Sequence, residues 1–198
     1  MKRKFFIVFT ILGIIILIFS CYNFLIVGNN KNIGNIDEFD KYISKIKNYK
    51  IEALVTVNSN KNSNTYTLKQ EYKDEKIVQN IESPDGIGLT IENYGGKTVV
   101  KNTNLKLDKV FNMYKEPFRN SLGLDEFIED YNSDTRKELV DKNGYYIANV
   151  KTEGAKNKYM KTKSLYFNKQ TNQIEKMEIK DINNNSTIVI EYTKVQIL

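Results

Sequence analysis

The sequence contains no histidine and no tryptophan, and only one cysteine and two prolines. The missing histidine removes the commonest general base and the commonest metal ligand. It excludes Ser-His-Asp and Cys-His catalysis. The lone cysteine, Cys21, leaves no intramolecular disulfide, so a fold built from this chain must hold by packing. No phosphate-binding glycine loop is present: Gly86-Ile87-Gly88 is too short and sits in a strand context. No calcium loop of the EF-hand type is found either. Large single-sign charge is also missing. Of 30 basic and 24 acidic residues, Lys2, Arg3 and Lys4 sit together at the front, which leaves the rest at about +3. Lysine and glutamate alternate along most of the strands, so there is no concentrated basic face for nucleic acid.

What is present is organised around the first segment. Lys2-Arg3-Lys4 precede an apolar run from Phe5 to Phe19, broken only by Thr10 and Gly13, and Ile18-Phe19-Ser20-Cys21 follows. A basic head, an apolar core and a small residue before cysteine predict an export signal over residues 1–20 with lipid attachment at Cys21. Phe19 is bulkier than is usual in such a motif. The chain also stays apolar to Val27, and residues 5–27 would make about 34 Å of helix, enough to cross a bilayer. An uncleaved single-pass anchor is therefore the rival expectation. Both place the rest of the chain on the extracytoplasmic face of a membrane. Residues 21–35, ending in Gly28-Asn-Asn-Lys-Asn-Ile-Gly-Asn35, predict a tether, and residues 36–198 one domain.

Within that domain the hydrophobic period sets the elements. Ile36, Phe39, Tyr42, Ile43 and Ile46 recur at helical spacing and predict an amphipathic helix over residues 36–48. From Tyr49 the period becomes two: 49–57, 65–72, 77–82, 87–91 and 97–102 predict five strands of an antiparallel meander. Ser83-Pro84-Asp85-Gly86 and Gly95-Gly96 serve as turns. Leu107, Val110, Phe111 and Tyr114 suggest a helix across 105–118, ended by Pro117. Leu122, Leu124, Phe127, Ile128 and Tyr131 suggest another, with Ser121 as its cap. Both are expected over the concave face of the sheet. Strands 135–140, 145–151, 163–168, 173–180 and 187–195 follow, with Asn143-Gly144 at one turn. Thr187–Val195 is expected at an edge, where it would make a strand-mediated homodimer plausible.

Carboxylates are the remaining chemistry. Asp125, Glu126, Glu129 and Asp130 crowd the second predicted helix, and Glu126 and Asp130 share one face. Such a pair could cleave a glycosidic bond or join a calcium site, but acids at this spacing ordinarily form the wet face of an amphipathic helix. Tyr66, Tyr72, Tyr145, Tyr146 and Tyr159 are candidates for a groove, with core positions the more ordinary assignment. A gap between the helices and the sheet would leave an apolar pocket.

The helix before Tyr49, the strand pair Tyr49–Val57 and Tyr66–Tyr72, the Ile77–Glu82 strand into Ser83-Pro84, Gly88-Leu89-Thr90-Ile91, and Asn93-Tyr94-Gly95-Gly96-Lys97 followed by Val99-Val100-Lys101-Asn102 resemble the opening half of LolA-like lipoprotein domains. Ser164-Leu165-Tyr166-Phe167, Glu175-Lys176-Met177-Glu178-Ile179 and the last strand fit the same plan. Within that group the chain resembles the GerS family of clostridial germination lipoproteins. The resemblance implies an α+β, mainly β fold: an incomplete antiparallel β-barrel, a LolA-like half-barrel with helices covering its concave side. It implies no enzymatic activity, no cofactor, and a partner, an N-acetylmuramoyl-L-alanine amidase of the CwlD type that prepares spore cortex for germination. A lipid or lipoprotein carrier of the LolA type is the alternative.

Overall fold

The computed structural model describes residues 33–59, 61–102, 104–112, 122–152 and 159–198. The predicted export signal, the anchor and Cys21 lie outside them. The described domain begins at Ile33, which is buried and whose N–H donates to Asn172 Oδ1 at 3.0 Å.

Helix α1 spans Ile36–Ile43. Asn35 caps it by accepting from Glu38 N at 2.9 Å, and Glu38 Oε2 accepts in return from Gly34 N at 2.8 Å, a reciprocal arrangement that satisfies two otherwise orphaned donors. The helix is shorter than the period suggests because Ser44 Oγ bonds back to Asp40 O at 2.8 Å while the chain tightens through Lys45 N and Ile46 N. Ile46 still reaches the core.

Eleven strands form one antiparallel sheet: β1 Tyr49–Asn58, β2 Ser63–Lys73, β3 Lys76–Glu82, β4 Gly88–Tyr94, β5 Lys97–Asn102, β6 Leu107–Asn112, β7 Glu138–Lys142, β8 Tyr145–Lys151, β9 Thr162–Asn168, β10 Gln173–Lys180 and β11 Ser186–Ile197. Helix α2, Leu124–Ser133, lies between β6 and β7 in the chain. The spatial order is β6-β5-β4-β3-β2-β1-β11-β10-β9-β8-β7. The sheet is unclosed, and the incomplete antiparallel barrel with two helices matches the expected α+β, mainly β architecture.

Three expectations are corrected. First, the span 105–118 is not a helix where it is described: Leu107–Asn112 pairs with β5 from Asn102↔Leu107 to Lys97↔Asn112. Lys106 at φ 51° reverses the chain just before it, so the apparent helical spacing ran from a turn into a strand. Residues 113–121 lie outside the description. Second, α2 starts after Gly123, which is its N-cap and makes no side-chain cap bond; Ser121 is not at that position. Third, β11 is not an edge. It pairs with β1 on one side and β10 on the other, and the edges are β6 and β7. A strand-mediated homodimer through Thr187–Val195 therefore has no free edge to use.

The turns follow their residues. Gly95 and Gly96 have φ 53° and 73°, and Asn143 and Gly144 have 53° and 81°, the left-handed pairs that two-residue hairpins need. The core gathers Phe39 and Ile43 of α1, Leu124, Phe127, Ile128 and Tyr131 of α2, and the inward positions of β1, β2 and β8–β11. Phe39 stacks on Tyr146 with ring centres 5.6 Å apart and also meets Phe167 at 5.3 Å. Among the described residues, no helix is long and apolar enough to cross a membrane.

Candidate functional site

Helix α2 carries the acids that the sequence singles out, and the structure divides them. Glu126 and Asp130 face inward at 7 % and 5 % exposure. They meet Lys163, which is 1 % exposed: Nζ lies 2.8 Å from Asp130 Oδ2 and 3.6 Å from Glu126 Oε2. The expectation of a wet face fails here. A buried carboxylate needs a cation and hydrogen bonds to stay ionised, and β9 supplies the cation. A pair enclosed in this way has no room for a glycan, so its geometry is that of a strut between α2 and the sheet.

Asp125 makes a second strut. Tyr49 OH donates to its Oδ1 at 2.7 Å, its own N–H donates to Tyr49 OH at 2.9 Å, and Gln70 Nε2 donates to Oδ1 at 3.2 Å. Burial raises the Asp125 carboxyl above the ordinary carboxylate range, against the pull of those hydrogen bonds, and it raises the Tyr49 hydroxyl as well. Gly123 leaves room for this cluster at the helix entry: a Cβ there would stand 2.3 Å from Asp125 Oδ1 and displace that carboxylate. A third strut joins the two helices: Tyr131 OH donates to Asp40 Oδ1, and Lys137 Nζ bonds the same oxygen at 3.2 Å while sitting 3.9 Å over the Tyr131 ring. The Tyr131 hydrogen bond, with Lys137, holds Asp40 below its usual range despite partial burial. Glu129 is the exposed member of the cluster. With Asp74, Glu75 and Asp125 it borders a cleft of about 540 Å³ beside Tyr72. Among the described residues no group of three acidic or sulfur ligands is placed to hold a metal ion.

The tyrosines do not converge on one groove. Tyr146 is buried under Phe39, and Tyr72 packs 5.7 Å from Tyr49. Tyr145 meets Tyr166 edge-on at 6.0 Å, and Tyr159 is exposed. The apolar concave surface lies elsewhere. Register carries the inward face of β2 across β3 to β5 as Ile77, Ile81, Leu89, Ile91 and Val100. All five are half-buried, whereas the helices pack on the other half, α2 against β8 and α1 against β7. At the junction, Gln70 Oε1 and Tyr192 OH are buried without hydrogen-bond partners.

No family model matches the sequence, and no curated protein matches it. Solved structures do. A chain in the structure of the CwlD amidase from Clostridioides difficile in complex with the GerS lipoprotein is 28 % identical, with a TM-score of 0.50, over 80 % of this chain and 91 % of that one. A putative outer membrane lipoprotein-sorting protein domain from Vibrio parahaemolyticus is 10 % identical, with a TM-score of 0.42, over 85 % and 93 %. A LolA superfamily protein from Nitrosomonas europaea is 11 % identical, with a TM-score of 0.40, over 84 % and 94 %. The resemblance carried by the sequence motifs thus returns in the folded chain: it is similar over most of its length to a chain of the GerS–amidase complex, and its unclosed antiparallel sheet with two helices is the incomplete barrel that the resemblance implies.

Proposed function

We propose that this protein is a non-enzymatic lipoprotein, tethered outside the cell or spore membrane through Cys21, that binds and supports a cortex-modifying N-acetylmuramoyl-L-alanine amidase during germination. The observation that carries this reading is the likeness to the GerS complex, at 28 % identity over most of both chains. The chemistry of the domain agrees with it. The inward acids of α2 brace the fold, and the sequence has no histidine to act as a general base.

The test is co-expression with the amidase of the same organism. The two proteins are expected to co-purify, and amidase turnover on cortex peptidoglycan should rise when this protein is added. Failure of both would overturn the reading. Mass spectrometry of the membrane-bound form should show a diacylglyceryl-modified Cys21 at a new N-terminus, and an intact chain from Met1 would replace lipidation with the single-pass anchor. A second reading, a carrier of acyl chains, is favoured by the half-buried apolar surface of β3–β5. Fluorescent fatty acid bound there, and displaced by Ile91→Asp, would support it.

A further inference from the structure

Helix α2 sets three acids against the sheet, and they are balanced differently. Glu126 and Asp130 share the Lys163 ammonium. Asp125 has no such counter-ion: it forms no ion pair among the described residues, and the groups bonded to its side chain, Tyr49 and Gln70, are neutral. The titratable groups around it are Tyr49 of β1, Tyr72 of β2, Tyr192 of β11, and Glu126 and Glu129 of its own helix. Asp74 and Glu75 of the β2–β3 turn and Lys47 after α1 complete the cleft that it borders. Acids outnumber the one lysine there, and that lysine is exposed.

Gln70 supplies the geometric signal. It is 3 % exposed, its Nε2 donates to Asp125 Oδ1 at 3.2 Å, and its Oε1 is buried without a donor. A buried carbonyl oxygen left unsatisfied costs stability. Turning the amide over does not help, because its oxygen would then face the Asp125 oxygen. A carboxylate cannot supply the missing donor, since it only accepts, whereas a carboxylic acid carries one O–H. Acid and amide head groups are both planar and present donor and acceptor side by side. A proton on Oδ2 can therefore answer Gln70 Oε1 while Nε2 answers Oδ1. The competing influences are on the page. Burial pushes the carboxyl up, while the bonds from Tyr49, Gln70 and the first-turn amides pull it down, and burial is the largest of them. The helix N-terminus also favours the anion, but its amides are among those weaker influences.

We infer that Asp125 is a proton latch: protonated, it closes an acid–amide pair with Gln70 that pins the entry of α2 to β2, and ionised it releases that entry. The parts it holds are the first turn of the helix, where Phe127 N reaches Gly123 O at 3.4 Å, and Leu124, which is fully buried. A carboxylic acid kept neutral by its surroundings so that it can donate a hydrogen bond is sound chemistry. The latch is independent of what the protein binds. Its pH sense follows from linkage. An ordinary aspartate, as in the unfolded chain, gives up its proton near pH 3.9. Asp125, raised in the folded state, contributes stability that is fully present below that pH and is lost as the pH rises through its folded value.

The full-length protein in phosphatidylcholine nanodiscs, labelled with 13C and 15N, would be titrated from about pH 3 to 8, a range that brackets the ordinary carboxylate value. The Asp125 carboxyl carbon is expected to titrate above about 3.9. The Gln70 side-chain amide and the Phe127 backbone amide should shift with the same midpoint. A carboxyl midpoint at or below the ordinary value would overturn the latch, as would a Gln70 amide that does not follow it. This measurement needs no variant, so it stands even if a substitution fails to fold. Asp125→Asn copies the protonated acid in shape and in its donor. Its thermal midpoint should gain on that of the parent as the pH rises from about 4. A difference between the two that stays constant with pH, or that turns in favour of the parent as the pH rises, would overturn the proposal as well.

Discussion

Lys163 illustrates what a single side chain decides in this fold. It is among the largest fully buried side chains, and it sits between two carboxylates of α2. Removing one partner of a buried ion pair typically costs about 3–5 kcal/mol, because the remaining charges are left without a counter-ion. Lys163→Met is therefore expected to lower the unfolding free energy in urea by about that amount. Lys163→Met combined with Glu126→Leu and Asp130→Leu should recover most of it, since apolar replacement of a whole buried network is often neutral or better. A single variant as stable as the parent would show that the pair contributes nothing. The signal for this arrangement was present in the sequence. Lys163 falls on the same alternate positions as Leu165 and Phe167, both fully buried, and Glu126 and Asp130 are spaced to face one partner. Pattern reading assigns such charges to solvent because most are solvated. Only the meeting of β9 with α2, which are far apart in the chain, makes the exception visible. The Tyr49–Asp125–Gln70 cluster was hidden for the same reason, since its members come from three separate elements.

Among the elements, the hairpin turns differ in what their residues cost. The Gly95-Gly96 and Asn143-Gly144 turns were legible because their residues accept a left-handed backbone at little cost. The β2–β3 turn is different. Asp74 and Glu75 adopt φ 51° and 61° without glycine, in a conformation that costs ordinary residues about 1–2 kcal/mol each. The long register of β2 with β3, from Thr67↔Glu82 to Lys73↔Lys76, holds it. Glu75→Gly should relieve the strain and raise stability by about 1 kcal/mol, less the entropy that glycine loses on folding. The urea midpoint should rise with an unchanged slope; a fall would mean that the Glu75 side chain contributes more than its backbone costs. β6 shows the opposite failure of local reading. Leu107, Val110 and Phe111 look helical only when the reversal at Lys106 is overlooked, and pairing with β5 overrode the apparent period.

For the molecule as a whole, the order of strands matters more than their number. The first five strands and the sixth form one meander, β7 to β11 form another, and the two meet only where β1 pairs with β11. That junction could not be read from the sequence, because a meander model leaves the last strand at an edge and nothing local says which strand it will join. Its consequence is a gradient. β1, β11 and β10 are paired on both sides and covered by the core, whereas β6 has pairing on one side only and shows Val110 at 60 % exposure. Amide hydrogen exchange reports the free energy of the smallest opening that frees a given N–H, and this runs from nearly zero at frayed edges to the global value in the core. Protection is therefore expected to peak in Ile51–Val55, Ile190–Tyr192 and Met177–Ile179, to fall steadily through β3, β4 and β5, and to be lowest in β6. Binding of an acyl chain to the β3–β5 surface would raise protection there and leave the seam unchanged. If the free protein showed equal protection from β6 to β1, the first meander would open as one unit, and the gradient of stability away from the β1–β11 seam would be wrong.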